Sequence, residues 1–180
     1  LMVETMLLLT INHQSLIATK SNRIVRAADG RVVMEFGARR AHGYGAAYYG
    51  ARAAIIGGCT GTSCLLTAKD FEVAASGTMA HSWVQLFPDE YTAFKTYAEK
   101  YPNSCMLLVD TYNVLKSGIP NAIKVFDEVL KPLGCRPLGI RIDSGDIAYL
   151  SKKARKMLDD AGYPDCKICA SNSLDEYLIR

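Results

Sequence analysis

Three short apolar runs decide how this chain folds: Cys105-Met106-Leu107-Leu108-Val109-Asp110, Leu138-Gly139-Ile140-Arg141-Ile142-Asp143 and Cys166-Lys167-Ile168-Cys169-Ala170-Ser171, each closed by a polar residue. Between the first and second, Pro120 opens a helical pattern carrying Ile123, Phe126 and Leu130, which Pro132 and Gly134 stop. Between the second and third, Ile147, Leu150, Ala154, Leu158 and Ala161 share one helical face until Gly162 and Pro164 end it. Strand and helix alternating in units of about 30 residues build a parallel sheet, because parallel neighbours need a crossover connection. Asp110, Asp143 and Ser171 then fall at the carboxyl ends of strands, the edge on which parallel α/β folds carry chemistry. An aspartate after a strand serves equally as the N-cap of the next helix, so position alone leaves both roles open.

The same beat extends towards the N-terminus. Pro88, Asp89 and Glu90 open a helix with Tyr91, Phe94, Tyr97, Ala98 and Tyr101 at helical spacing. Arg31 to Phe36 reads as a strand, Gly43 to Ile56 as a small-residue helix, and Phe71 to Ser76 as a strand ending before Gly77 and His81. About five or six strands are too few to close an eight-stranded barrel. Either the sheet is open or further strands lie outside the chain, and Leu1, standing in mid-pattern, points to a fragment. The expected class is α/β with mainly parallel strands, in one domain over residues 1–180; no linker rich in Pro, Ser or Gly divides it.

Composition agrees with an ordinary globular domain: 180 residues, 49% hydrophobic and 22% charged. A formal charge of +3 is too small and too evenly spread to announce a nucleic-acid partner. The apolar stretch from Leu1 to Ala18 is interrupted by Glu4, Asn12, His13 and Gln14, short of the roughly 18 clean residues of a membrane span. It also lacks the basic front and cleavage site of a secretory signal, so a cytoplasmic location is expected. The six cysteines are scattered among apolar neighbours and read as reduced thiols; Cys166 and Cys169 form a lone C-x-x-C without a second pair at zinc spacing.

Four clusters could carry chemistry. In Glu35-Phe36-Gly37-Ala38-Arg39-Arg40, an aromatic ring for stacking and an arginine fork for a carboxylate or phosphate suit a planar anion, although a solvated Arg pair beside a packed Phe would read the same way. Gly57-Gly58-Cys59-Thr60-Gly61-Thr62-Ser63 suits either a backbone cradle for phosphate or tight packing; no Lys follows the last Gly, so it is not a Walker motif. Ser76-Gly77-Thr78-Met79-Ala80-His81-Ser82 holds the best acid–base or nucleophile candidate of the three histidines. His13 reads as a packed helical residue, and His42 as a neighbour of the arginines. Arg141-Ile142-Asp143-Ser144-Gly145-Asp146 places Arg141 and Asp143 on one side of a strand, followed by a hydroxyl, a glycine and a second carboxylate, a set fitted to sugar hydroxyls or Mg²⁺. Asp146 also fits as the opening residue of the next helix, and Asp110-Thr111-Tyr112-Asn113 is of the same kind.

Taken in order, these motifs resemble those of nicotinate phosphoribosyltransferases, and Gln14 to Lys20 and Ser173 to Glu176 extend the likeness over nearly the whole chain. The resemblance implies an irregular (β/α) barrel of the type II phosphoribosyltransferases, incomplete in this chain. It implies an enzyme that joins nicotinate to phosphoribosyl pyrophosphate, giving nicotinate mononucleotide and pyrophosphate for NAD synthesis. ATP is a co-substrate coupled through a phosphohistidine, Mg²⁺ is the metal, and the enzyme is a homodimer whose partner subunit completes the pyridine pocket. By position, His81 is the phosphorylated residue, and Asp110 and Asp143 serve that histidine, the metal and the ribose. Phe36 stacks on the pyridine, Arg39 and Arg141 meet anionic groups, and Ser144 and Gly145 line the ribose site. Ser63 stands where similar nicotinamide-using enzymes carry an aspartate that accepts from the carboxamide, so the resemblance implies a preference for nicotinate. A nicotinamide phosphoribosyltransferase, a quinolinate phosphoribosyltransferase and a noncatalytic fragment binding pyridine nucleotides are the rival readings.

Overall fold

The computed structural model describes residues 1–180, which pack as two compact units: Leu1–Gly77 with Leu174–Arg180, and Thr78–Ser173.

In the first unit, the apolar N-terminal stretch is one helix, α1 (Met2–Ala27), packed on α2 (Tyr44–Ile56). The crossing is close because small residues line it: a Cβ on Gly57 would lie 2.6 Å from the carbonyl oxygen of Ala18. His13 lies half-buried on α1 beside Gly50 of α2. Lys20 and Arg23 of α1 hold the buried carboxylate of Glu176 at 2.5 and 3.2 Å, which ties the C-terminal segment to this helix. No helix of the chain is long and apolar enough to cross a membrane.

A parallel pair, β1 (Met34–Glu35) and β2 (Gly61–Thr62), completes the unit together with α3 (Leu65–Asp70). The strand predicted over Arg31–Phe36 is confined to Met34–Glu35, which pair with Gly61 and Thr62, while Val33 and Glu35 accept from the flanking Thr60 and Ser63 N–H groups. Phe71–Ser76 is not a strand. Its first residues close α3, Phe71 N–H donating to Thr67 and Val73 N–H to Ala68, and only Ala75 bridges to Thr62. The glycine-rich stretch 57–63 is a packed turn leading into β2 rather than a phosphate cradle. The backbone N–H groups of Gly57, Gly58, Cys59, Thr60, Thr62 and Ser63 all donate to carbonyls within this unit, and Gly61, paired with Met34 in the ladder, is pressed against Ala74.

The second unit holds α4 (His81–Gln85), α5 (Glu90–Lys100), β3 (Met106–Leu108), α6 (Ile119–Val125), β4 (Gly139–Ile142), α7 (Ile147–Asp160) and β5 (Lys167–Ala170). The three strands are parallel in the order β3-β4-β5. Leu107 and Leu108 on β3 and Ile140 and Ile142 on β4 are buried, as expected of a parallel sheet covered on both faces. Phe94, Phe126 and Leu158 from three helices fill the same core, each burial favouring the fold by about 1.5–3 kcal/mol.

The helical run around α6 begins at Val114, ahead of Pro120, because the Asn113 side chain accepts from the Lys116 N–H at 2.8 Å and caps it. Wide turns with bonds to the fifth residue back flank α6 on both sides, Gly118 N–H to Asn113 and Lys131 N–H to Phe126. Gly118 sits on the Val109 carbonyl, where a Cβ would overlap the oxygen.

Register carries the sheet into the site. Leu108, Arg141 and Cys169 form one row across the three strands, so Asp110, Asp143 and Ser171, each two residues further on, emerge at the same edge.

Candidate active site

Neither aspartate at this edge caps a helix. Asn113 caps the run after β3, and Asp146 caps α7 by accepting from the Tyr149 N–H at 2.9 Å. Asp110 instead turns across the edge: its Oδ2 accepts from the Asp143 N–H at 2.9 Å and from the Ser144 hydroxyl at 2.6 Å. Its other oxygen, Oδ1, is buried and has no hydrogen-bond partner. It faces His81, with Nε2 at 3.9 Å.

His81 opens α4 and is the convergence point. Its Nε2 also lies 3.5 Å from Asp143 Oδ2, and its Nδ1 is 3.1 Å from the Thr111 hydroxyl. The imidazole is partly exposed while both carboxylates are nearly covered, so a reactant reaches the ring before it reaches the acids.

Arg141 completes the cluster. It donates from Nε to the Ser171 hydroxyl and from Nη1 to Thr78 Oγ1, both at 2.8 Å, and from Nη2 to Asp143 Oδ1 at 2.9 Å. Three of its five N–H donors are thus engaged by these residues. Ser171 also donates to Asp143 Oδ1 at 2.5 Å. Burial opposes ionisation of Asp143, but the Ser171 hydroxyl, the Arg141 guanidinium and His81 outweigh it and hold the carboxyl below its ordinary range.

Behind the edge lies Glu90, buried at the start of α5, which accepts from the Ser117 hydroxyl and leaves Oε1 without a partner. Burial pushes its carboxyl up, and the nearby Asp110 charge adds to the shift. Sequence reading took Glu90 only as a helix opener, since an acid in a first turn normally serves the helix dipole. Thr78 and Thr111 were legible as motif members but not as partners of Arg141 and His81.

The second unit therefore brings together His81, Asp110, Arg141, Asp143 and Ser144, with Gly145 at positive φ in the turn that follows. The other three anticipated residues belong to the first unit. Phe36 is half-buried just after β1, Arg39 is exposed on the short turn Ala38–Arg40, and Ser63 is exposed just after β2. There Glu35 spans the pair of strands: Oε1 accepts from the Gly37 N–H and Oε2 from the Thr62 hydroxyl, both at 2.5 Å.

The six cysteines are free thiols, with Cys59, Cys105 and Cys166 buried. No group of three or more His, Cys, Asp or Glu side chains is placed to hold a metal ion by itself. Asp110 Oδ1 and Asp143 Oδ2 nevertheless point at one imidazole nitrogen, and Mg²⁺ is ordinarily held by one or two carboxylates completed by water and substrate phosphates. That donor set fits a shared ion and not a dedicated metal cage.

The chain is similar to nicotinate phosphoribosyltransferases in sequence and in fold. The chain is 54% identical over 178 residues to the nicotinate phosphoribosyltransferase of Bacillus subtilis, covering 99% of this chain and 36% of that protein. It is 48% identical over 180 residues to a nicotinate phosphoribosyltransferase of Mycobacterium tuberculosis, covering 99% and 38%. The crystal structure of human nicotinic acid phosphoribosyltransferase superposes with a TM-score of 0.89 at 28% identity, over 98% of this chain and 46% of that one. The nicotinate-nucleotide pyrophosphorylase of Pyrococcus furiosus superposes with a TM-score of 0.80 at 31% identity, over 93% and 43%. The chain thus spans 36% to 46% of the length of these relatives. The family model for nicotinate phosphoribosyltransferases matches residues 32–177, and with these motifs, this strand-edge cluster and these relatives the chain belongs to the nicotinate phosphoribosyltransferase family.

Proposed function

We propose that the complete protein carrying this chain joins nicotinate to phosphoribosyl pyrophosphate, releasing pyrophosphate and nicotinate mononucleotide, with ATP hydrolysis coupled through phosphorylated His81. The observation that carries this reading is the partly exposed imidazole facing two covered carboxylates, one of which has an oxygen that nothing else satisfies. Carboxylates beside Nε2 favour the proton there, which leaves the lone pair on Nδ1 beside Thr111. Attack of that lone pair on the terminal phosphorus of ATP forms an N–P bond and breaks the bond to ADP. Phosphorylation of Nδ1 then places about two negative charges on a ring whose other nitrogen faces Asp110 and Asp143, which gives the energy of ATP a way to reorganise the site.

In the glycosyl step, the bond from the anomeric carbon to pyrophosphate breaks and the pyridine nitrogen supplies the new electron pair. Asp143, held ionised by Arg141 and Ser171, faces the positive charge that develops on the ribose, while Ser144 and Gly145 shape the approach of its hydroxyls. Asp110 and Asp143 would hold Mg²⁺, whose part is to neutralise charge on the departing pyrophosphate. In the first unit, Phe36 stacks on the pyridine ring, Arg39 meets the anionic end, and Ser63 leaves room for a carboxylate; in the second, Arg141 meets anionic groups of the substrates. Parallel strands such as β3-β4-β5 are the material of the family's irregular (β/α) barrel, and the enzyme works in the cytoplasm as a homodimer.

The test is a pair of assays on the complete protein. Incubation with γ-labelled ATP should leave acid-labile phosphate that His81→Ala abolishes, and nicotinate mononucleotide should accumulate from nicotinate faster than the nicotinamide nucleotide from nicotinamide. Label persisting in His81→Ala overturns the role of His81, and preference for nicotinamide overturns the substrate.

A further inference from the structure

The strands β1 and β2 are only two residues long, yet the two residues proposed to face the pyridine, Phe36 and Ser63, follow directly from their ends. A ladder this short supplies few bonds to fix those ends. Glu35 supplies the rest. Its backbone carbonyl accepts from the Ser63 N–H at 3.0 Å, its Oε1 accepts from the Gly37 N–H, and its Oε2 accepts from the hydroxyl of Thr62, which is fully buried. Thr62 Oγ1 in turn accepts from the Cys64 N–H at 2.9 Å. One side chain therefore bonds into both turns, on either side of Phe36 and of Ser63. Gly37 makes room for it, since a Cβ there would stand 2.9 Å from Glu35 Oε1.

We propose that Glu35 is a positioning residue for pyridine recognition, fixing the Phe36 and Ser63 turns against each other; this rests on the assignment of those two residues to the pyridine. The chemistry requires a carboxylate. Both side-chain partners donate, so each oxygen must accept, and ionised acids are the side chains that offer two acceptors and no donor. Glutamine would turn an NH₂ towards one of the donors, and aspartate is one methylene too short to reach both turns. A pocket wall held by charge-assisted bonds is set before the substrate arrives, and a displacement of about 1 Å there would cost on the order of tenfold to a hundredfold in substrate use.

Steady-state kinetics on the complete enzyme separate the outcomes. Glu35→Gln and Thr62→Val should each raise KM for nicotinate by about tenfold, while kcat and KM for phosphoribosyl pyrophosphate stay within about twofold. Thr62→Ser, which keeps the hydroxyl, should recover most of that loss. If Glu35→Gln does not fold, the comparison of Thr62→Val with Thr62→Ser decides. An unchanged nicotinate KM in both Glu35→Gln and Thr62→Val, with Phe36→Ala raising it, overturns the role of Glu35 and leaves the pyridine assignment standing. A parallel loss of kcat, both KM values and thermal stability makes Glu35 merely structural, which also overturns it. An unchanged KM in Phe36→Ala removes the pyridine assignment, and the role of Glu35 with it.

Discussion

Asp110 Oδ1 and His81 Nε2 lie 3.9 Å apart, and that oxygen is buried without any hydrogen-bond partner. An unsatisfied buried carboxylate oxygen costs folding free energy, and a positive charge or donor brought beside it offsets that cost.

Asp110→Asn tests that relationship. The amide keeps an acceptor for the Asp143 N–H and the Ser144 hydroxyl but loses the charge facing His81. Expected are stability within about 1 kcal/mol of wild type and a drop in both His81 phosphorylation and turnover of roughly a hundredfold. Thermal melts and labelled-ATP incorporation measure the two sides; unaltered incorporation would show that the charge of Asp110 does not act on His81.

Asp143 is held ionised below the ordinary carboxylate range, so its sign is fixed. The stability it contributes is present above its unfolded value of about 3.9 and is lost as pH falls through the lower folded value. The stability difference between wild type and Asp143→Asn should be flat from pH 7 to 5 and shrink only below about pH 4. Turnover of Asp143→Asn should fall steeply even at pH 7, where folding is preserved. Urea titrations across pH check the first statement, and a difference that already narrows at pH 6 would contradict the depressed value.

Ser63→Asp addresses the choice of substrate. A carboxylate at about 5 Å from that of nicotinate repels it by roughly 3 kcal/mol at an effective dielectric near 20, and by under about 1 kcal/mol in open water. Since Ser63 is exposed in this chain, the loss expected is about tenfold in kcat/KM for nicotinate, with nicotinamide little affected or improved. Equal losses for the two substrates would mean that residue 63 does not read the carboxylate.

Gly118→Ala probes the fold behind the site. The added Cβ would overlap the Val109 carbonyl, one residue before Asp110, and backbone on both sides leaves no flexible atom to yield. A destabilisation of about 3 kcal/mol, with reduced turnover from displacement of Asp110, is expected from chemical denaturation and kinetics. A neutral effect would show that the turn from Asn113 to Gly118 shifts freely.

Much of the second unit was legible along the chain because its signals are local. Apolar runs of the right length, Pro and Gly at helix ends, and helical faces such as that of Ile147, Leu150, Ala154 and Leu158 all act within a few residues, and the strands and helices appear where these place them. The first unit was harder. Arg31–Phe36 and Phe71–Ser76 have strand composition, but pairing partners decide how much of such a segment becomes strand, and β2 offers partners to only part of either. The glycines before β2 looked equally like a phosphate loop until the destinations of their N–H groups were known.

The sequence by itself determined the alternation that makes the sheets parallel, and with it the fact that Asp110, Asp143 and Ser171 terminate strands. It also carried the family's motifs in order. Only the tertiary structure decided what those residues do, because helix capping and site chemistry use the same side chains at the same chain positions. The row of Leu108, Arg141 and Cys169 sets the three strand ends level, so that Asp110 reaches the backbone of Asp143 and Arg141 reaches Ser171. Register is a relation between segments some 30 residues apart, fixed by burying Leu107, Leu108, Ile140 and Ile142 together, and no local pattern encodes which oxygen of Asp110 is left facing His81.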